Sequence, residues 1–281
     1  VGTIKQISDE LKEWIVTTLN SGVSPVVIAD ALVKKGFNPR YAYESLFQIV
    51  GNGAVKSPEA KSELPYQYEI PAIGQRGNTI YTSDREIKVL ARIEKPFILH
   101  LDNVLSDDEC DELISLSKER LQPSRVVDSV TGEERVVPGR TSKGMYYTIH
   151  ENDLVTKLEK RFEELTQYPV ENGEGLQVLN YHVGEEYKAH FDYFPSGKVD
   201  EKKGGQRVGT LLLYLNDVEE GGETIFPKVG VSIVPKKGSA VYFHYTNSQN
   251  QVDRLSVHSS IPVVVGEKWV ATKWIRQNPI Y

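Results

Sequence analysis

Leu176-Gln177-Val178-Leu179-Asn180-Tyr181-His182 and Val208-Gly209-Thr210-Leu211-Leu212-Leu213-Tyr214-Leu215 are two short apolar runs rich in strand-forming residues. Each is too short for a core helix and long enough for a buried strand. Glu223–Phe226, Ser239–Tyr245, Arg254–Ser259 and Trp269–Ile275 extend the series, with Gly204-Gly205 and Glu220-Gly221-Gly222 among the connecting segments. Short strands without alternating helices predict a sandwich or barrel, not a parallel α/β sheet. The expected class is therefore mainly β. No GxGxxG, Walker or C-x-x-C sequence supports a nucleotide, P-loop or thioredoxin reading.

Working outward, two helices flank the strand-rich half. Ser106 and Glu109 form a capping box before Leu113, Ile114 and Leu116, and Asp153 to Leu165 carries Leu154, Leu158, Phe162 and Leu165 on one face. Between them, Val126 to Gly139 reads as a hairpin or mobile loop leading to Arg140-Thr141-Ser142. Residues 1–50 predict three short helices. Ile4, Ile7, Leu11, Trp14, Ile15 and Leu19 share the first face, and Ser24-Pro25 and Asn38-Pro39 start the next two helices. This unit faintly resembles small three-helix modules of the ubiquitin-associated type, which makes a protein partner one expectation for it. Residues 51–80 hold Gly51, Gly53, Pro58, Pro65, Pro71, Gly74 and Gly77 and read as an irregular linker, leaving 81–281 as the main domain.

The chain has 281 residues, 33 Lys+Arg against 39 Asp+Glu and a formal charge of -6, which disfavours a dedicated nucleic-acid binder. No apolar stretch approaches the ~20 residues of a membrane span, so no membrane partner is expected. Cys110 is the single cysteine. A reducing, cytoplasmic setting is the expectation that follows. Oligomeric state is not set by the sequence, and a homodimer is one expectation.

His190 and Asp192 are one residue apart, which on a strand directs both side chains to one face and sends Phe191 into packing on the other. His258 is the best third ligand, placed near the end of a strand after Leu255 and Val257. Two imidazoles and a carboxylate make the facial triad of non-haem Fe(II) enzymes, and there is no plausible fourth protein ligand for structural zinc. The same triad alone permits a zinc hydrolase. Among the other histidines, His182, His100 and His150 read as structural, whereas His244 lies within a strand and keeps a cavity-lining reading open. Lys268, Val270, Thr272 and Trp274 alternate with Trp269, Ala271, Lys273 and Ile275. If the Trp274 face lines a barrel, Lys268 is an inward cation that needs an anion; otherwise it is an ordinary surface lysine. Tyr181 and Thr210 supply hydroxyls for the same anion. Arg140, from the residues alone, reads as a surface arginine.

These blocks together resemble the prolyl 4-hydroxylase branch, of collagen, algal, viral and bacterial type, of the Fe(II)/2-oxoglutarate dioxygenases. The resemblance runs from about Ile93 to Arg276. It rests on Arg140-Thr141-Ser142, Gln177 to Tyr181, His190-Phe191-Asp192, Leu213 to Thr224, Pro235 to Gly238, Ser256-Val257-His258 and Lys268 to Ile275, with Lys268 ten positions after His258. It implies a distorted double-stranded β-helix, or jelly roll. It also implies iron held by His190, Asp192 and His258, and 2-oxoglutarate held by Lys268 with Tyr181 and Thr210 near its carboxylate. O₂ completes the reactants, and ascorbate is the expected reductant. The implied reaction hydroxylates a prolyl residue in a peptide or protein and releases succinate and CO₂. Arg140, Tyr193 and Trp274 are implied on the substrate side. The alternatives are a hydroxylase of free proline or another small molecule, and a non-catalytic metal-containing β-barrel binding protein.

Overall fold

The computed structural model describes residues 8–20, 25–37, 41–42, 45–46, 49, 65–124, 126–127, 134–135, 140–195 and 197–280. Helices α1 (Asp9–Asn20) and α2 (Pro25–Lys34) come first, and helical residues at 41–42, 45–46 and 49 continue them. Strands β1 (Thr79–Tyr81), β2 (Glu86–Ile93) and β3 (Phe97–Asp102) lead to helix α3 (Asp107–Ser117). The short strands β4 (Gln122–Pro123), β5 (Val126–Val127) and β6 (Glu134–Arg135) precede β7 (Lys143–Tyr147) and helix α4 (Asp153–Thr166). Strands then dominate. They are β8 (Leu176–Tyr181), β9 (Tyr187–His190), β10 (Arg207–Tyr214), β11 (Glu220–Gly221), β12 (Thr224–Phe226) and β13 (Val231–Ile233). The series ends with β14 (Ala240–His244), β15 (His258–Ser260), β16 (Val263–Val265) and β17 (Lys268–Arg276).

Nine strands form the major sheet in the order β1-β2-β3-β14-β10-β17-β8-β7-β4, and four form the minor sheet, β13-β12-β15-β9. Side-chain alternation sorts the molecule into layers. Trp269, Ala271 and Ile275 of β17 join Leu113 of α3 and Leu158 and Phe162 of α4 in one core, so those helices cover one face of the major sheet. Val270, Tyr214 and Phe243 from the other face pack with Phe226 and Ile233 of the minor sheet. The two sheets therefore face one another, as in the distorted double-stranded β-helix. The outer face of the minor sheet is covered too. Ile225 and Ile261 share a core with Ile15, Leu19, Ile28, Leu32 and Leu46 of the N-terminal helices.

Several local expectations are met. The Ser106–Glu109 capping box forms at α3, with reciprocal side-chain-to-backbone bonds. Helix α4 starts where read, capped by Asn152 accepting from the Val155 N–H. Others need correction. Arg254–Ser256 is a 3₁₀ turn and not a strand, because the Asp253 side chain accepts from the Leu255 N–H at 2.8 Å and closes the chain into a turn. His258 consequently begins β15. Phe191 is exposed and stacks on Tyr193 at a 4.7 Å ring separation, so it does not enter the core. The loop after Val126 contains a short β5–β6 pairing, Val126 opposite Arg135 and Val127 opposite Glu134. The remainder of that loop, the start signals at Ser24 and Asn38 and residues 51–64 of the 51–80 linker lie outside the described residues. Among the described residues, no helix is long and apolar enough to cross a membrane.

Candidate active site

Antiparallel pairing of β9 with β15 sets His190 directly opposite His258. Asp192 lies two residues beyond His190, past the end of β9. One donor atom from each of the three residues falls within 4.8 Å of the others. Their ring nitrogens are already sorted. His190 Nδ1 meets the Lys188 carbonyl at 2.7 Å and His258 Nδ1 meets the Ser256 carbonyl at 3.0 Å. A carbonyl only accepts, so each Nδ1 carries a proton, which leaves Nε2 as the nitrogen available to a metal. Both Nε2 atoms face the carboxylate, His190 at 3.3 Å from Oδ1 and His258 at 3.7 Å from Oδ2 of Asp192. Burial, with the neighbouring His190 ring, pushes His258 down to about 4, so it stays neutral near pH 7. Burial alone would push the Asp192 carboxyl up, but His258, His190 and Arg207 hold it well below the usual carboxylate range. Two imidazoles and one carboxylate, already converging, fit a divalent iron with open positions.

Thr210 bears on this site differently from the sequence reading. Its hydroxyl donates to Asp192 Oδ2 at 2.7 Å and lies 3.0 Å from the Tyr245 hydroxyl. It supports the acidic ligand. On the other side, Tyr187 stacks on the His190 ring at 3.6 Å and carries the Arg140 guanidinium 4.7 Å above its own ring. Arg140 is buried, not on the surface, and its Nη2 donates to Gln177 Oε1 at 2.9 Å while Nε has no partner among the described residues.

The cavity holding these groups also contains Lys268, Tyr181 and Trp274. Lys268 is 1% exposed. Its ammonium donates to Ser260 Oγ at 2.7 Å and lies 5.5 and 5.8 Å from the rings of Tyr181 and Tyr214. No carboxylate among the described residues lies within salt-bridge reach of it. Burial pushes this lysine down to about 7, against the weaker pull of the Glu223 charge. Such a cation fits an incoming anion. Trp274 is buried with its indole N–H unpartnered among the described residues, and Arg207 lies 4.0 Å over its ring. Arg207 itself is held by Glu174 through two 2.7 Å bonds and donates to the Asp192 carbonyl at 3.2 Å. Tyr193 does not line this cavity; it stacks on Phe191 and lies 6.1 Å from the Tyr245 ring. His244 is buried against the Tyr242 hydroxyl at 3.0 Å and lines a separate groove.

Sequence reading missed Ser260, Tyr245 and Tyr187. Period-two alternation carries the signal for the first two, since Ser260 follows His258 by two and Tyr245 follows Phe243 by two. The Tyr187–His190 stack has no such signal, because residues three apart on a regular strand point to opposite faces, and here the β9–β15 register shifts between the two.

Comparison with known proteins fits this geometry. The family model of the 2OG-Fe(II) oxygenase superfamily matches residues 176–276, which include the triad and Lys268. A probable prolyl 4-hydroxylase of Arabidopsis thaliana, number 8 in its series, is 40% identical over 210 residues, covering 68% of this chain and 71% of the relative. The chain belongs to the prolyl 4-hydroxylase branch of the 2OG-Fe(II) oxygenases. Prolyl 4-hydroxylase 2 of the same plant is 42% identical over 209 residues, covering 67% of this chain and 70% of its own. Among solved structures, the viral collagen prolyl hydroxylase of Paramecium Bursaria Chlorella virus-1, in its 2OG complex, aligns with a TM-score of 0.53 and 31% identity. That alignment covers 64% of this chain and 95% of the viral one. As a 2OG-Fe(II) oxygenase, the chain uses Fe(II), 2-oxoglutarate and O₂. The convergent His190, Asp192 and His258 donors are consistent with the first of these.

Proposed function

We propose that this 2OG-Fe(II) oxygenase hydroxylates C4 of prolyl residues in a peptide or protein substrate, with ascorbate as reductant. The observation carrying the reading is the joint presence, in one cavity, of the His190–Asp192–His258 donors and an inward, anion-seeking Lys268. The relatives named prolyl 4-hydroxylases support the prolyl target. The overall reaction inserts one oxygen atom of O₂ into a proline C–H bond, while 2-oxoglutarate takes up the other and leaves as succinate and CO₂. Bound iron supplies the oxidising chemistry.

The chain's own groups supply placement. His190, Asp192 and His258 hold the ion, with the Nδ1–carbonyl bonds fixing each ring and Thr210 fixing the carboxylate. Lys268 pairs with the distal carboxylate of 2-oxoglutarate, assisted by Ser260 and the Tyr181 hydroxyl. Arg140 and Trp274, both buried with unpartnered N–H groups among the described residues, face the substrate side of the cavity. Tyr193 belongs to the approach, as part of its stack with Phe191. A reducing cytoplasmic setting accords with the single buried Cys110. The homodimer is tested by light scattering on the intact chain.

The deciding experiment incubates the protein with Fe(II), ascorbate, 2-oxoglutarate and a panel of proline-rich peptides, with free proline in parallel. A peptide mass gain of one oxygen that requires 2-oxoglutarate and yields equal succinate is the expected result. Oxygen appearing only in free proline overturns the peptide assignment. Turnover without O₂ or succinate overturns the oxygenase reading.

A further inference from the structure

We infer that the N-terminal segment, helices and linker together, is a positioning element of the metal centre, holding the strands that carry two of its three ligands. The inference rests on the assignment of His190, Asp192 and His258 as metal ligands. Two independent sets of contacts carry it.

The first is packing. The minor sheet contributes His190 and His258 from β9 and β15, and its opposite face is not solvent-exposed. Ile225 of β12 is 1% exposed and Ile261, immediately after β15, is 3% exposed, both in the core formed by Ile15, Ile28 and Leu32. Ala189, the residue before His190, packs against the same core. Among the described residues, a minor sheet of four short strands, two of them bearing ligands, has no helix of the main domain behind it; α3 and α4 lie against the major sheet. The N-terminal helices supply the missing wall. Close-packed interiors resist displacement, so a wall on one face restricts the side chains on the other.

The second is a hydrogen-bonded path. Residues 65–69 run along the 247–253 loop. The Asn247 amide donates to the Gln67 carbonyl at 3.0 Å, the Gln67 N–H donates to Gln251 Oε1 at 3.0 Å, and the Ser248 N–H donates to Glu69 Oε2 at 3.0 Å. The Tyr68 hydroxyl donates to Asp253 Oδ1 at 3.2 Å. That same oxygen accepts from the Leu255 N–H at 2.8 Å and so shapes the Arg254–Ser256 turn. The Ser256 carbonyl at the end of that turn is the acceptor that fixes His258 Nδ1. Linker, aspartate, turn and ligand are thus joined by consecutive contacts.

Coupling of this kind is reciprocal: if docked helices favour metal binding, bound metal must favour docking. Mn(II), which does not oxidise readily, serves as the probe in the full-length chain. Isothermal titration measures its affinity, and hydrogen exchange reads the docking of α1 and α2. In the wild type, Mn(II) should slow exchange in both helices. Leu32→Asp places a charge in the shared core and Tyr68→Phe removes only the hydroxyl bonded to Asp253. Supporting residues of metal ligands typically govern affinity by about 10- to 100-fold, and a loss in that range is expected for each. Leu158→Ala, which opens a cavity on the far side of the major sheet, is the stability control and should leave the affinity unchanged. An unchanged Mn(II) constant in Tyr68→Phe overturns the inference, as does one in a folded Leu32→Asp chain whose helices exchange freely. An equal loss in Leu158→Ala also overturns it, by reducing the effect to general stability. A wild-type chain that takes up no Mn(II) overturns the ligand assignment instead.

Discussion

A single hydroxyl separates two readings of Thr210. The sequence reading gives it as a hydroxyl donor to the anion of Lys268; the structure shows it lining the same cavity with a different polar neighbour. The neighbour is Asp192, with Tyr245 behind. Thr210→Val keeps the shape and removes the donor, leaving Asp192 free to turn. Mn(II) affinity is expected to fall about 10- to 100-fold by titration, with 2-oxoglutarate affinity at saturating metal changing far less. Lys268 behaves oppositely. In Lys268→Ala, metal affinity should hold while 2-oxoglutarate affinity drops roughly 10²–10³-fold, the loss of about 3–4 kcal/mol for a buried charge-assisted contact. Anaerobic titration of the Fe(II)-loaded chain separates the two. The same lysine sets a pH dependence. Burial holds its empty-site pKa at about 7, and a bound carboxylate favours the charged form. Above pH 7 binding must therefore take up a proton, and affinity should weaken by up to about tenfold per pH unit. Below pH 7 the lysine is already charged and this dependence vanishes. Arginine at 268 stays charged throughout, so Lys268→Arg should flatten the slope; a flat wild-type profile defeats the argument.

Elements were legible where burial has one period. All nine residues of β17 are buried, and its two faces separate into helix-side and cavity-side sets as alternation requires. The capping box of α3 was legible because its two bonds lie within four residues. The Arg254–Ser256 turn was not. Leu255 and Val257 imitate a strand, and the Asp253 bond that wins over the pattern is invisible to hydrophobic periodicity. Nor does Glu109 reveal its second role. Beyond capping α3, it bonds Arg161 of α4 at 2.7 and 2.8 Å, and Arg161 also holds Asp84 and the Val104 carbonyl. This arginine is 1% exposed. Arg161→Ala should destabilise the chain by about 1.5–3 kcal/mol, since it removes charge-assisted bonds to Glu109 and Asp84 while Lys157 and the Ser106 N–H remain on Glu109, as read by urea denaturation at neutral pH. Burial alone would raise the Glu109 carboxyl, but Arg161, Lys157 and the Ser106 N–H hold it well below its ordinary value. A depressed folded-state pKa contributes stability above the unfolded value of 4.5 that is lost as pH falls below it. The cost of Arg161→Ala should therefore shrink on acidification. A pH-independent difference removes Glu109 as its cause.

At the scale of the molecule, the order of layers is α3 and α4, major sheet, minor sheet, N-terminal helices. Local patterns identified each layer but not the last junction, because Ile225 and Ile261 read equally well as residues of a free sheet edge or of a covered face. That junction decides how the protein unfolds. Among the described residues, the buried side chains of α1 and α2 share one core with Ile225 and Ile261 of the minor sheet and its flank. A helical unit of this size is marginal by itself. The expectation is one cooperative transition on heating. Trp14 reports on α1, whereas Trp269 and Trp274 report on β17 at the centre of the major sheet. Trp14→Phe leaves only the central reporters, and its fluorescence melt should coincide with the helical circular-dichroism melt of the wild type. Mn(II) and 2-oxoglutarate bind the folded chain alone, so together at 100 times their dissociation constants each adds about 2.7 kcal/mol. Both probes should move upward by the same amount. A separate, ligand-insensitive helical transition at lower temperature shows instead that the N-terminal helices fold apart from the sheet, and the single-unit architecture fails.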